Sequence, residues 1–537
     1  MSTDFPTGAG TERTGTGPAA GSAGSAGSAG SAGLKPTPRS RVRAWLRGPH
    51  ETAFDVAERQ VPEALAARNL AGARQSVYWW DTAEAPEALP AFGAPGAQAG
   101  PGANTADLAV VGGGYTGLWT ALMAKERDPD RDVLLLEGAR CGWAASGRNG
   151  GFLEPSLTHG DSNGEQHAPS ENARLRQLGA ANAREIAATI ERYGIDADYR
   201  ASGELILASE PHQVDELRAE ASGTGQEVLT GAALRARVDS PLYLAGLFDP
   251  DASAIVHPTR LAWGLRRAAL EAGVRIVEHT PVRGLDQPRA HGLRPVRLRT
   301  DGGDVVAQQA VLATNVFPSL IRRLRRYTVP VYDHAIVTEP LTPEQEAAIG
   351  WAGREGLADM NSRFHYIRPI DTPEGLRILV GGYDAHYHFG RTLRREYEHS
   401  PATARRLAQH FAAIFPQLAD VRFTHSWGGA IDTCSRFFSF FDLTCGGRVA
   451  SAAGFTGLGV GATRFAANVM LDLLSGERTE LTELEIVRKK PIPFPPEPLA
   501  WLGIRTTTAA MIRSDRNRGR RGPWLRAMDA VGMGFDS

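Results

Sequence analysis

The 537-residue chain contains only three cysteines, Cys141, Cys434 and Cys445. They are not spaced as C-x-x-C, and no histidine pattern beside them matches a metal site, so neither a disulfide framework nor a common zinc motif is expected. Such low use of cysteine is typical of a reducing compartment. We therefore expect a cytoplasmic protein in which each thiol is a small buried apolar group.

Long apolar runs and an excess of one charge are also missing. No run reaches the ~18 apolar residues of a membrane-spanning helix, and 59 basic against 60 acidic side chains leave a formal net charge of −1. We therefore expect neither membrane insertion nor a general attraction to nucleic acid. The length is enough for two or three domains with full hydrophobic cores.

The chain does contain a glycine-rich turn between two short apolar runs. Residues 107–111 and 133–136 predict buried strands, and residues 118–125 have the apolar spacing of a helix. Three glycines lie between the first strand and the helix in the spacing G-x-G-x-x-G: Gly112, Gly114 and Gly117. A bare glycine pattern is weak evidence, but the strand before it and the helix after it favour a dinucleotide-binding turn.

Each residue type in this turn fits a dinucleotide. Gly112 permits the tight turn, Gly114 lets the backbone approach a pyrophosphate, and Gly117 lets the helix pack on the strand. The start of the helix offers free N–H groups to phosphates. Glu137 lies 20 residues after Gly117, where its carboxylate can accept bonds from a ribose diol and disfavours the 2′-phosphate of NADP.

The loop that follows Glu137 favours FAD over NAD. Instead of another helix and strand, the chain continues as CGWAASGRNGG, residues 141–151. A glycine-rich loop of this kind can run beside an extended ligand, where Ser146 and Arg148 can reach the pyrophosphate. Arg148 can equally be a surface arginine.

A second glycine-rich corner follows much later in the chain. Residues 449–453 predict a strand, residues 454–461 have the sequence GFTGLGVG, and residues 463–474 predict a helix. The amides at the start of that helix can point at the carbonyl end of a flavin ring, where negative charge grows on reduction. We expect the two glycine corners to close over a single flavin.

The whole pattern predicts an α/β protein. Its parts are a discontinuous Rossmann-like FAD-binding domain of the glutathione-reductase type and an α+β substrate domain built on an antiparallel sheet. One helix is predicted over residues 51–70. The predicted segments are a disordered low-complexity tail (1–49), an N-terminal helix and linker (50–104), three parts of the FAD-binding domain (105–200, 256–328 and 431–484), two parts of the substrate domain (201–255 and 329–430) and a C-terminal extension (485–537).

These motifs together resemble the D-amino-acid-oxidase-type (DAO) FAD-dependent oxidoreductases, and within them the γ-glutamylputrescine oxidase-like enzymes. The resemblance covers most of residues 75–490. The segments that carry it are VVGGGYTGL with Glu137, GWAASGRNGG, IVHP (255–258), LATN (312–315), SWGG (426–429) and AAGFTGLGV (452–460).

The resemblance implies an enzyme that oxidises a C–N bond of an amine or amino acid by hydride transfer to flavin N5, after which the imine hydrolyses. It also implies which residues bind FAD, in the first corner, the loop after it, the middle of the chain and the second corner. They are Gly112, Gly114, Tyr115, Thr116, Gly117, Glu137, Ser146, Arg148, Asn149, Gly150, Gly151, Val282, Ala313, Thr314, Asn315, Gly454, Thr456, Gly457, Leu458 and Gly459.

Two positions depart from relatives such as monomeric sarcosine oxidase. Those enzymes anchor the flavin through a cysteine, and the matching place here falls near Gly429, five residues before Cys434. We therefore expect non-covalent FAD. They also place a lysine over the flavin to assist oxygen, but the matching strand has Ile378, Leu379 and Val380. The electron acceptor is thus either oxygen or another molecule.

The resemblance leaves the substrate open, since polyamines, N-methyl amino acids, small amino acids and aminophosphonates are all compatible. We expect Tyr366, Arg368 and Trp427 to line the substrate pocket, with Arg368 pairing with a substrate carboxylate. Strand alternation puts Tyr366 and Arg368 on the face opposite His365. The alternative interpretations are core packing for the two aromatic residues and a structural ion pair for Arg368.

Two further functions stay open, an NAD-linked dehydrogenase and a non-catalytic flavin-fold binding protein. His386 and His388 have a spacing that suits a metal, but no third ligand accompanies them and we expect no metal. The oligomeric state does not follow from the sequence.

Overall fold

The computed structural model describes residues 49–94, 102–286 and 295–533. The predicted tail up to residue 48, residues 95–101 of the predicted linker and the last four residues lie outside these ranges. The helices are α1 Ala53–Gln60, α2 Glu63–Leu70, α3 Tyr78–Asp81, α4 Tyr115–Arg127, α5 Gly160–His167, α6 Asn172–Arg192, α7 Pro211–Thr224, α8 Gly231–Arg237, α9 Pro258–Glu271, α10 Pro343–Ile349, α11 Pro401–Ile414, α12 Gly459–Ser475, α13 Glu480–Glu483, α14 Glu485–Arg488, α15 Leu499–Asp515 and α16 Pro523–Ala530.

Most of the strands belong to two large sheets. The strands are β1 Thr105–Val111, β2 Val133–Leu136, β3 Phe152–Leu153, β4 Glu204–Ala208, β5 Val228–Thr230, β6 Ala245–Asp249, β7 Ala254–Ile255, β8 Arg275–Val277, β9 Val282–Asp286, β10 Val296–Thr300, β11 Gly303–Leu312, β12 Thr328–Thr338, β13 Gly356–Asp359, β14 His365–Thr372, β15 Gly375–Gly382, β16 His386–Tyr387, β17 Phe423–Cys434, β18 Phe440–Thr444 and β19 Val449–Ala453.

The first sheet is built on parallel strands in the order β18-β19-β11-β1-β2-β8. β1 pairs in parallel with β11 and β2, and β11 pairs in parallel with β19. β18 and the β9–β10 pair are antiparallel additions. β2 is buried along its whole length, as expected of a parallel strand in a covered sheet.

This strand order brings the two glycine corners together. β1 and β19 flank β11, and each is followed by a glycine-rich turn and a helix, α4 after β1 and α12 after β19. The carboxyl ends of parallel strands share one edge of a sheet, so both turns open toward the same crevice. α4 and α12 also pack against each other.

The second sheet has the order β16-β12-β15-β14-β13-β4-β6-β5, with β17 paired to β12. Its pairings are antiparallel except for the parallel pair β13–β4. Apolar side chains of α11, such as Leu407 and Phe411, pack on this sheet and form its core. The predicted fold class, a Rossmann-like domain beside an antiparallel-sheet domain, is confirmed.

The predicted segment bounds stay predictions, but the strands can be placed against them. Strands of the first sheet come from residues 105–136, 275–312 and 440–453, and those of the second sheet come from residues 204–249, 328–387 and 423–434. The predicted boundary between residues 430 and 431 therefore falls inside β17.

The single helix predicted over residues 51–70 is wrong. The chain forms two helices there, because Pro62 has no N–H with which to continue a helix. α1 begins at a capping box, in which Thr52 Oγ1 accepts from the Asp55 N–H and the Asp55 carboxylate accepts from the Thr52 N–H, both at 3.1 Å. Within the described ranges, no helix combines the length and the hydropathy required to span a bilayer.

Gly117 is the position at which a methyl group is least tolerated in the first corner. A Cβ there would lie 1.8 Å from the Gly112 carbonyl oxygen, which is fixed in the turn. We expect Gly117→Ala to lower the free energy of unfolding by at least about 2 kcal/mol, since the helix must move off the strand. Urea denaturation followed by circular dichroism measures this change.

Gly223→Ala is the matched control for this substitution. Gly223 lies in α7, and no atom approaches the position of its Cβ within 4 Å. Alanine should stabilise that helix by about 0.5–1 kcal/mol. Equal stabilities of the two variants would contradict the steric argument.

Candidate active site

One cavity of about 1890 Å³ is lined by both glycine corners. Gly112 and Gly114 contribute from the first corner, and Gly457 and Gly459 contribute from the second. Pockets for a single small ligand usually measure about 300–1,000 Å³. This cavity therefore has room for an extended cofactor together with a substrate.

The first corner is closed by bonds around Glu137. The Glu137 carboxylate accepts from the N–H of Gly113 at 2.6 Å, from a second backbone N–H and from the Trp143 indole at 3.1 Å. Burial raises the pKa of Glu137, and these bonds oppose the rise. Ser146 Oγ accepts from the Tyr115 N–H at 2.9 Å, which ties the following loop to the start of α4.

Two buried tryptophans fix the loop that follows the first corner. Trp79 Nε1 donates to the Asn149 carbonyl at 2.9 Å. Trp427 Nε1, on β17, donates to the Arg148 carbonyl at 2.8 Å. The Arg148 guanidinium pairs with Glu398 at 2.6 Å. The backbone of this loop is thus held between the first corner and the second sheet.

The second corner is held by Asp432, which lies on β17. Its carboxylate accepts from the Gly454 N–H at 2.5 Å and from the Asn315 side chain. Burial raises the pKa of Asp432 to about 7. Asn315, which lies in the segment after β11, has a positive φ of 48° and lines the cavity. The Asp432 carboxylate therefore positions both this segment and the turn before α12.

The residues present fit FAD on three observations. The N–H groups in the first turns of α4 and α12 have no partner within their helices, and both turns face the cavity. A Cβ at Gly459 would meet no atom within 4 Å, so the space before α12 is open. The Asn315 Oδ1 atom is buried without a hydrogen-bond partner among the described residues, as expected of a group that faces a ligand.

A comparison with protein families decides the class. The model of the DAO family, FAD dependent oxidoreductase, matches residues 107–473, which is more than half of the chain. The chain belongs to the DAO family of FAD-dependent oxidoreductases. FAD is therefore the cofactor of this protein.

The chain is also similar to individual oxidoreductases. The gamma-glutamylputrescine oxidoreductase of Escherichia coli (strain K12) is 30% identical over 387 residues, which cover 70% of this chain and 84% of that protein. A probable oxidoreductase OrdL of Haemophilus influenzae is 26% identical over 396 residues, 71% of this chain and 85% of that protein. The crystal structure of glycine oxidase from Geobacillus kaustophilus shares the fold, with a TM-score of 0.57, 21% identity and coverage of 72% of this chain and 99% of that chain.

The predicted FAD-binding residues line the cavity except for Gly117, Gly454 and Leu458. Gly117 lies against Gly112, Gly454 donates its N–H to Asp432, and Leu458 is buried in the core of the first sheet. These three residues lie outside the cavity lining and support the backbone of the two corners. The roles of the lining residues in cofactor binding stay predictions.

The predicted substrate residues do not all reach the cavity. Tyr366 and Trp427 line it, but Arg368 does not. Arg368 is 1% exposed, and its Nη1 donates to the carbonyls of Val256 at 2.6 Å and Gly150 at 3.2 Å. Burial lowers the pKa of Arg368 to about 9. The predicted pairing of Arg368 with a substrate carboxylate is therefore wrong, because the guanidinium is turned away and bonded to backbone.

Asp333 is a cavity residue that the sequence analysis missed. It lies on β12, lines the cavity, and its carboxylate accepts from the Tyr366 hydroxyl at 2.7 Å. Burial raises the pKa of Asp333 to about 6, although the bond from Tyr366 opposes the rise. A charged residue inside an otherwise apolar strand, as in VYDHAIV, is the signal that indicates such a site.

The histidines serve the scaffold and the cavity wall. His365 faces away from Tyr366, as predicted, and its ring nitrogens lie 2.6 Å from the Asp359 carboxylate and 2.8 Å from His410 Nδ1. His386 lines the cavity with its Nε2 3.0 Å from the hydroxyl of a threonine on α11. His388 stacks on Tyr397 instead, and no cluster of His, Cys, Asp and Glu able to hold a metal is found in the described part of the chain.

Cys434 also has a structural role. It is fully buried, and its Sγ donates to the carbonyls of Phe438 at 3.1 Å and Gly454 at 3.4 Å. Burial raises the pKa of this thiol, which lowers its reactivity as a nucleophile. Non-covalent binding of FAD stays a prediction.

Asp432→Asn should weaken FAD binding by about tenfold. An asparagine amide cannot accept from both Gly454 and Asn315 without turning an N–H toward one of these donors, which costs about 1–3 kcal/mol. Titration of the apoprotein with FAD, followed by flavin fluorescence, measures the dissociation constant.

Asp442→Asn is the control for this measurement. Asp442 lies outside the cavity lining, on β18, and pairs with Arg323 at 2.6 Å and Lys490 at 2.7 Å. Its replacement should lower the melting temperature and leave FAD affinity unchanged. An equal loss of FAD affinity in both variants would show that Asp432 acts only through general stability.

Proposed function

We propose that this protein oxidises the C–N bond of an amine, with the substrate held between FAD and the second sheet. The observation that carries the proposal is the continuous cavity that joins the two glycine corners to the buried pair Asp333 and Tyr366. When bound, FAD supplies the acceptor for the hydride of the substrate C–H bond. Water then hydrolyses the resulting iminium to a carbonyl compound and ammonia or an amine.

The binding of FAD is assigned to the residues that line the cavity. The N–H groups at the start of α4 would hold the pyrophosphate, and Glu137 would hold the adenosine ribose. Val282 and the 313–315 segment line the same cavity and would contact the nucleotide. The turn from Thr456 to Gly459 would hold the pyrimidine edge of the ring, where the α12 amides would stabilise negative charge.

Asp333 is assigned the role of proton acceptor for the substrate. An amine arrives mostly as its ammonium ion, which cannot release a hydride from the adjacent carbon until one N–H proton leaves. With a pKa of about 6, the Asp333 carboxylate is ionised at neutral pH and can take that proton. Burial and the neighbouring Glu154 raise the pKa of Glu204, another carboxyl group of this cavity, and hold it toward its neutral form.

Asp333→Asn should slow anaerobic flavin reduction by about 100-fold, within the usual range for a lost general base. The rate of the unmodified enzyme should rise as the pH increases through about 6, because deprotonation of Asp333 creates the acceptor. This acid limb should vanish in the asparagine variant. Stopped-flow absorbance at the flavin band, recorded between pH 5 and 9, measures both effects.

Tyr366→Phe separates the carboxylate from its hydrogen-bond donor. Loss of the hydroxyl should raise the pKa of Asp333, since that bond favours the ionised form. The acid limb should then move to higher pH with the plateau rate retained. An unchanged acid limb in Asp333→Asn would remove Asp333 from the mechanism.

The acceptor that reoxidises the flavin is either oxygen or another molecule. No lysine lines the cavity in the described ranges, but the cations of Arg148 and Arg363 do. The cytoplasmic location expected from the low use of cysteine stays a prediction.

Amino-acid oxidation is a second candidate, favoured by Arg363. This side chain lines the cavity, its Nη2 donates to the Tyr383 hydroxyl at 2.7 Å, and its Nη1 lies 3.9 Å from Asp384. Its buried Nε has no hydrogen-bond partner among the described residues. A substrate carboxylate would satisfy that donor.

Arg363→Lys tests this candidate. Flavin reduction by norleucine should fall about tenfold or more, since a lysine cannot reproduce the directed guanidinium bond. Reduction by pentylamine, which has the same carbon chain without the carboxylate, should stay within twofold. Equal losses for both compounds would exclude a carboxylate-binding role for Arg363.

A further inference from the structure

The wall of the cavity includes a segment that lies outside the DAO-type domain. The family match ends at residue 473, whereas the segment 494–533, which contains α15 and α16 and is called the roof below, lines the cavity extensively. The lining residues of the roof are Phe494, Pro495, Leu499, Ala500, Gly503, Ile504, Arg505, Thr507, Thr508, Ala509, Met511, Ile512, Trp524, Met528 and Met533.

The roof is attached on the substrate side of the cavity. Asp515 at the end of α15 accepts from the N–H and hydroxyl of Ser362 at 3.1 and 2.6 Å. Ser362 lines the cavity next to Arg363 and follows β13 of the second sheet. Arg516 Nε donates to Asp55 of α1 at 2.6 Å. The end of α15 is therefore tied to the segment after β13 and to α1, whereas α16 accepts a bond at the Asp529 carbonyl from Gln166 of α5 at 3.3 Å.

The roof offers an apolar surface even where its residues are polar. The hydroxyls of Thr507 and Thr508 donate to the carbonyls one turn earlier, at 2.9 and 3.0 Å, so neither has a proton left for a ligand. Arg505 is an exposed residue whose guanidinium lies 5.7 Å from the centre of the Trp501 ring. No carboxylate of the roof is among the described lining residues.

Methionine is concentrated around this part of the cavity. The chain has seven methionines, and four of them line the cavity: Met360, which directly follows β13, and Met511, Met528 and Met533 from the roof. The thioether side chain is flexible and apolar, and it adapts to ligands of irregular shape. A concentration of methionines in the wall of the cavity that also contains Asp333 and Tyr366 is what an elongated apolar group would require.

We propose that the roof selects amines that carry an extended apolar substituent, such as an alkyl chain of about six or more carbons. This inference rests on the proposed amine oxidation. The amino group lies at Asp333, and the apolar chain extends toward α15 and α16. The lining residues of the roof include no carboxylate to pair with a second ammonium group, so a diamine that extends along the roof is disfavoured.

The test is anaerobic flavin reduction of the full-length holoenzyme by a series of amines. The ratio of the reduction rate to the dissociation constant should rise about fourfold for each methylene from butylamine to octylamine, since each buried methylene contributes about 0.8 kcal/mol. Putrescine should be at least about 100-fold worse than hexylamine. Stopped-flow absorbance supplies both constants.

Matched substitutions on α15 locate the effect. Met511 lines the cavity, and Met511→Asn should reduce the increment to about twofold per methylene. Leu502→Asn is the control, because Leu502 is 56% exposed and lies outside the lining. FAD content and melting temperature establish whether both variants fold. If a variant does not fold, the amine series on the unmodified enzyme still tests the proposal.

The possible outcomes separate this inference from the proposed function. A graded rise with chain length that Met511→Asn flattens and Leu502→Asn preserves supports it. Reduction that is independent of chain length, or faster with putrescine than with hexylamine, overturns the selection by the roof and leaves amine oxidation standing. Absence of reduction by any amine overturns the proposed function and the inference with it.

Discussion

The active site depends on the orientation of two helix starts. α4 and α12 begin at neighbouring positions because β1 and β19 both run parallel to β11, which separates them. Free N–H groups at a helix start carry partial positive charge, and burying them without a partner is costly. Two such groups that converge on one cavity therefore require an anionic or polar ligand. An FAD molecule, with a pyrophosphate at one point and a flavin ring at another, meets both requirements at once.

β17 and the loop after the first corner connect the two sheets. Trp427 on β17 holds the Arg148 carbonyl, and Asp432, further along the same strand, holds the turn before α12. One strand of the substrate sheet thus contacts both ends of the flavin site. A shift of β17 would therefore move the loop after the first corner and the turn before α12 together.

The parts of the site that the sequence predicted are local in the chain. The first corner follows from residues 107–137, because its glycines lie within a few residues of the strand and the helix that they connect. The predicted strands and helix are present in the structure. Asp333 was not predicted because its partner Tyr366 lies on β14, and only the pairing of β12, β15 and β14 brings the two together. Long-range pairing of this kind leaves no periodic signal.

Arg368 shows a different limit of pattern analysis. Strand alternation correctly separated it from His365, but alternation does not fix where a long side chain ends. The backbone turn at Gly151, with φ of 80°, and the nearby Val256 present carbonyls that the guanidinium reaches first. The single helix predicted over residues 51–70 failed for a simpler reason, since the effect of Pro62 outweighed the helical spacing of its neighbours.

The position of the roof in the chain separates the cover of the cavity from its frame. α15 and α16 follow every strand of both sheets, so no strand of either sheet depends on the roof for its place in the chain order. A change in the length or composition of this terminal segment would therefore alter the cover of the cavity without interrupting either sheet.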